Sequence, residues 1–309
     1  AERRPDDPRH ALALATAWQY YAFNLSAAGR DAEAHEALKN QAAILRTRLA
    51  DDPQDREIRR SLHQNLYLVG EALQGLDPAG SQKAYAEAVV IGEALRAEDP
   101  ASVLVRRDLA YLRTGMGGFY ESRKDFAAAR EQFQHALSLF ESIAAADAKS
   151  VDGRVGIAIS LHNIGNSRAG EGDSAGAVRD FEKARSFYEP IVAADPSNAW
   201  AEGALADLYL NIGQETEKMA KARSNASGEG SEAACALYSR AHEIFERMRA
   251  AGKLTAVRMK PSAEARTSAR GGAEPANDVI APVRSPTDAS RDEPKMFARR
   301  RAAWPSTRL

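Results

Sequence analysis

The chain has 309 residues, 44% apolar and 28% charged, with a formal net charge of −1, a balance ordinary for a water-soluble folded polypeptide. One cysteine, Cys235, excludes an intramolecular disulfide and a multi-cysteine metal site. No apolar run approaches the ~20 residues of a membrane-spanning helix, no secretory leader is visible, and the first residue is alanine, so the chain reads as a fragment or processed product.

A fixed period runs through the first 250 or so residues. Pro5, Pro53, Pro100, Ala148 and Pro196 open five stretches and stand 48, 47, 48 and 48 residues apart. A constant spacing of this size predicts a solenoid, in which each unit buries its apolar face only against its neighbours. The expected units are residues 5–52, 53–99, 100–147, 148–195 and 196–252.

Each unit reads as two helices, A and B. The first carries Trp18, Tyr21, Ala22 and Leu25 on helix A, then Ala34, Leu38 and Gln41 on helix B. The second carries Leu66, Val69, Gly70 and Leu73, then Ser81, Tyr85 and Ala88, and the third Met116, Gly117 and Tyr120, then Ala129, Phe133 and Ala136. In the fourth, Leu161, Ile164, Gly165 and Arg168 share a helical face. Gly170 to Asp173 break the helix, and Ala177, Phe181 and Ala184 line the inner face of the next. Pro190 falls in the later part of that helix B and predicts a local kink. The fifth has Tyr209, Ile212, Gly213 and Thr216, then Ala234, Tyr238 and Ala241, with a Gly/Ser-rich surface loop expected over 221–230.

These residues resemble the tetratricopeptide repeat, with its small residue on helix A and its A-x3-F pattern on helix B. The resemblance implies an all-α solenoid of five antiparallel helix pairs wound as a right-handed superhelix. The usual unit has about 34 residues. Here each opening residue precedes the small helix-A residue by 17, and the late helix-B residue (Gln41, Ala88, Ala136 or Ala184) precedes the next opening by 12. Each helix is thus expected to be two turns longer than usual, with its inner face still in register. Together with Arg106-Arg107-Asp108-Leu109-Ala110 and the closing run Ala233–Leu254, the period looks like the repeat region of large bacterial serine/threonine protein kinases. That resemblance implies a signalling parent whose kinase domain lies upstream.

Residues 253–309 break the pattern with twelve Lys/Arg against six Asp/Glu, giving +6 against −7 for the remainder. The acidic body argues against a nucleic-acid footprint. The Pro/Arg/Ser-rich tail is expected to be disordered, either as a regulatory segment or as an altered C-terminus. Gly252 reads as the stop of the last helix, and the basic Phe297–Trp304 stretch reads as a solvated end.

The resemblance places a partner on the concave face, lined by helix A. Helical stepping puts Gln19 and Phe23 there, then Arg60, Gln64, Tyr67 and Glu71, then Arg107, Tyr111 and Thr114. The fourth and fifth units add His162, Asn166, Asp207 and Gln214, with Ile159 and Leu210 between them. Aromatic rings with amides and few charges suit a peptide or protein ligand. Packing of some of these rings between the longer helices is the competing reading. Asn163, Asn166 and Asn211 offer part of a carboxylate clamp, but the lysines are missing. Arg59, Arg106 and Arg154 repeat in register, and pairing with acidic residues of the inter-unit turns is favoured over a phosphopeptide ladder.

The six histidines lack metal-ligand spacing, Gly115–Gly118 follows no strand, and no nucleophile motif appears. No cofactor, metal or catalytic role is expected. A protein-interaction scaffold is the leading reading, ahead of the non-catalytic part of a kinase and of a self-association module. A cytoplasmic location is favoured, with the periplasmic side of an anchored parent as the alternative.

Overall fold

The computed structural model describes residues 8–148, 150–222 and 229–253. The expectations for residues 254–309 and for the middle of the 221–230 loop lie outside them. Ten helices occur among the described residues. They are α1 (Pro8–Ala27), α2 (Asp31–Asp51), α3 (Arg56–Leu73), α4 (Pro78–Glu98), α5 (Val103–Glu121), α6 (Phe126–Ala146), α7 (Val151–Gly170), α8 (Ser174–Ala194), α9 (Ala199–Ala222) and α10 (Glu229–Ala250). Odd-numbered helices are the A helices and even-numbered ones the B helices. At 18 to 24 residues they are ~27–36 Å long, the lengthening that the two 17- and 12-residue offsets predict. α8 continues through Pro190 to Ala194, and no described helix is long and apolar enough to cross a membrane.

The helix starts have local causes. Asp77, Asp125 and Asp173 stand before α4, α6 and α8, and each carboxylate accepts from the backbone N–H three residues on. Those donors would otherwise be orphaned at the helix end. Asp55 does the same for α3 and the Ser150 hydroxyl for α7. Gly29, Lys124 and Gly172 take positive φ of 73°, 61° and 84° in the A-to-B turns, so Lys124 accepts the strain that glycine avoids at the other two. Gly252, at φ 65°, ends α10 as expected.

The described residues divide into two compact units, one running to Phe119 and the other starting at Tyr120. In the first, Ala22, Leu25, Ala34, Ala37, Leu38 and Ala72 form a buried cluster against which Trp18 packs. Tyr85 is fully buried over Gly70, where a Cβ would lie 2.5 Å from its Cε1. In the second, Phe181 covers Gly165 and Tyr238 covers Gly213, with a Cβ at those glycines 2.5 and 2.6 Å from the rings. Phe133 and Ala129 pack on Ile164. At Gly70, Gly165 and Gly213 the A-helix residue is small because the aromatic of its B helix occupies the space a side chain would need. The chain is an all-α, tetratricopeptide-like solenoid.

One inner-face assignment differs. Tyr21 is 51% exposed, whereas its register equivalents Ile164 and Ile212 are 3% and 2% exposed. Ile164 is covered by residues of the preceding B helix, and α1 is the first helix among the described residues.

Candidate functional site

In the first unit, the expected binding residues lie on α1, α3 and α5. Gln19, Phe23, Gln64, Tyr67, Glu71, Tyr111 and Thr114 are half-buried. α3 and α5 are joined by a polar clasp. The buried carboxylate of Asp108 accepts from Arg60 Nε at 2.6 Å and from Gln64 Nε2 at 2.9 Å. Arg107, 6% exposed, has its Nε 4.0 Å from the other Asp108 oxygen, and little of its side chain reaches the surface. The burial of Asp108 is tolerable because it is paired.

Tyr67 and Glu71 press on the α5 backbone. A Cβ at Gly115 would lie 2.7 Å from Tyr67 Cε2 and 2.8 Å from Glu71 Oε1. Glu71 Oε1 accepts from the Tyr85 hydroxyl at 2.7 Å and from Gln74 Nε2 at 3.1 Å. Burial, with the Glu71 charge beside it, pushes the Tyr85 hydroxyl well above its ordinary value. For Tyr67, then, packing between helices accounts for part of the ring. Thr114 donates to the Ala110 carbonyl at 2.9 Å, a bond within its own helix.

In the second unit, His162, Asn166, Asp207 and Gln214 are half-buried on α7 and α9. Asn211 Nδ2 lies 3.0 Å from His162 Nε2 and 3.2 Å from Asn166 Oδ1. The His162 ring stands edge-on to Phe181 at 5.7 Å, while Ile159 is buried. Asn211 thus joins α9 to α7 much as Asp108 joins α5 to α3. Both clasps bridge one A helix to the next at an offset near one repeat.

Of the arginine series, Arg59 pairs with acid, while Arg106 donates to the Ala101 carbonyl at 3.1 Å. Arg59 meets Glu98 in a two-pronged contact of 2.6 and 2.7 Å, which holds the Glu98 carboxyl below its ordinary range. Arg59 is raised in turn by the same carboxylate.

Sequence reasoning missed the buried polar joints. Asn65, fully buried on α3, donates to the Leu38 carbonyl and to Gln41 Oε1, both at 2.9 Å. His63 is buried with Nδ1 2.8 Å from the Ala88 carbonyl. Glu202, buried on α9, accepts from Arg247 and Lys253 at 3.0 Å each. The available signal was the spacing of 48 between Arg60 and Asp108, which sets opposite charges in register on successive A helices.

Burial holds the His63 imidazole below its ordinary 6.5, and burial shifts His35 the same way. Both favour the neutral form in the fold, while the unfolded chain takes up the proton more readily. Their contribution is full above the unfolded value and is lost as pH falls toward the folded values. The urea midpoint is expected to drop on acidification below about pH 6.5. His63→Gln should flatten that dependence, and an unchanged slope would count against a buried neutral imidazole.

No protein-family model and no curated protein matches the chain. Among solved structures it is similar to BtubC (BKLC) from P. vanneervenii, at 15% identity and a TM-score of 0.43, over 78% of this chain and 90% of that one. It is similar to the TPR-like repeats of a putative kinesin light chain from Podospora anserina, at 21% identity and a TM-score of 0.42, over 78% of this chain and 98% of that one. It is also similar to pilF of Pseudomonas aeruginosa, at 17% identity and a TM-score of 0.40, over 79% and 90% of the two chains.

Proposed function

We propose that the chain is a non-catalytic protein-interaction scaffold that takes a peptide or protein partner on the A-helix surface. The observation that supports this most is the pair of clasps, Arg60–Asp108–Gln64 and His162–Asn211–Asn166. Each fixes neighbouring A helices before a ligand arrives, so half-buried Tyr111, Gln64 and Gln214 need little further ordering on binding. Rings and amides held in this way suit peptide recognition. The finer reading, on sequence resemblance alone, places the array in a bacterial signalling protein beside a serine/threonine kinase domain. A glycine-rich loop and a catalytic-loop aspartate in the upstream gene would support it, and their absence would remove it.

Tyr111 is the better probe than Tyr67, whose ring also fills the space over Gly115. A pull-down with the full chain identifies partners, and Tyr111→Ala is expected to weaken their capture about tenfold or more, as loss of an aromatic anchor does. Helicity should be unchanged. Equal capture by the variant would turn the reading away from this face.

A further inference from the structure

Among the described B helices, all but the first carry glutamate at one register. Glu93, Glu141, Glu189 and Glu246 hold it on α4, α6, α8 and α10, whereas α2 has Arg46. Two of these acids are bonded to a long polar side chain from the A helix that follows. Glu93 accepts from Arg113 Nη2 at 3.3 Å, and Glu189 from the Tyr209 hydroxyl at 3.0 Å. Arg113 and Tyr209 share their own register with Leu161 and, on α3, with Leu66. Beside Arg46, then, the charge is reversed and the long polar side chain is replaced by a short apolar one. A cavity of about 320 Å³ opens there between α2 and α4, with Leu66 in its wall.

We propose that this cavity binds a small carboxylic acid with a compact apolar body, such as an aryl or branched-chain acid. Leu66, Val69 and Ala84 give it an apolar floor, and its volume lies at the lower end of the range for small-molecule sites. The rim carries Lys39, Arg46 and Lys83 against the single acid Glu87, a balance that favours an anion. Lys39 and Arg46 are engaged with Glu36 and Glu87 at 3.0 and 3.1 Å, in exposed pairs of the kind that exchange partners at little cost. Lys83 meets no carboxylate among the described residues. Two polar atoms of the same wall, Asn65 Oδ1 and His35 Nδ1, are buried without a hydrogen-bond partner. With its proton on Nδ1, His35 donates to a carboxylate at the rim, while the Asn65 oxygen repels one from the floor. The acid is thereby oriented with its charge outward and its apolar body on Leu66. None of the cavity residues belongs to the expected A-helix partner surface, so the site does not depend on that reading.

Equilibrium dialysis of the full chain against radiolabelled phenylacetate is the test. Saturable uptake of one molecule per chain is expected, with a Kd of about 1 mM or below. Phenylacetamide keeps the shape and lacks the charge, and should bind about tenfold more weakly or worse. Arg46→Glu restores the glutamate of the other four units and is expected to weaken phenylacetate uptake about tenfold or more. Helicity should be kept, because Arg46 is exposed. Leu66→Tyr sets the side chain of the fifth unit into the cavity and should abolish uptake. If that variant fails to fold, Arg46→Glu decides. No saturable uptake up to about 10 mM, equal binding of the amide, or uptake indifferent to Arg46→Glu would each overturn the proposal. Tighter binding of acetyl-Gly-Gly-Phe than of phenylacetate would overturn it as well, by giving the site to a peptide end.

Discussion

Asp108→Ala is expected to destabilise the first unit by about 3 kcal/mol, as removal of one partner from a buried ion pair does. Asp108 is 2% exposed and accepts from Arg60 and Gln64. Without it, two α3 donors lose their acceptor and the nearby buried Arg107 loses a negative charge 4.0 Å away. Arg60 keeps some access to water, so the loss falls toward the lower end of the range for buried pairs. Asp108→Asn preserves shape and one acceptor and should cost less. Urea unfolding of the three proteins measures the effect. A loss below about 1 kcal/mol for the alanine variant would show that the clasp behaves as a surface pair.

Phe181→Ala is expected to cost about 3–5 kcal/mol, the usual range for emptying a buried phenylalanine site. Its ring is 1% exposed and rests on Gly165 and against His162. Gly165→Ala approaches the same joint from the other side. Its new Cβ would sit 2.5 Å from Phe181 Cδ1, so the ring must move, at about 1–3 kcal/mol. Combined, the two should cost less than their sum, because the alanine at 181 vacates the space the Cβ needs. Thermal unfolding of the single and double variants would reveal this coupling, and strict additivity would mean that the two positions do not share one joint.

The repeat was legible because its signal is local and redundant. Gly70 with Tyr85, Gly165 with Phe181 and Gly213 with Tyr238 each place a small residue beneath an aromatic ring, and the same pairing recurs at a fixed interval. The two-turn lengthening was legible for the same reason, as constant offsets. The candidate site was less so. Helical stepping assigns a residue to a face, but it does not say whether a neighbouring helix takes up that face. Tyr67 steps onto the expected surface and also fills the space over Gly115. Asp108 and Asn65 read as ordinary polar residues on a helix, yet both are buried, each with one polar atom bonded to a partner some 24 to 48 residues away. Tyr21 fits the inner-face pattern but is exposed, since pattern alone cannot supply the helix that would cover it.

The reach of the bonds between helices has a consequence for how the chain is made. Arg59 to Glu98 spans 39 residues, Arg60 to Asp108 48, His162 to Asn211 49 and Pro196 to Lys253 57. Each closes once about one further repeat has been synthesised. Within each unit, neighbouring repeats can therefore dock as they leave the ribosome, before later repeats are complete. Loops this short keep the entropy of closure low at every step. A pause or truncation during translation would then leave a shorter stack of folded repeats in place of a collapsed, tangled intermediate.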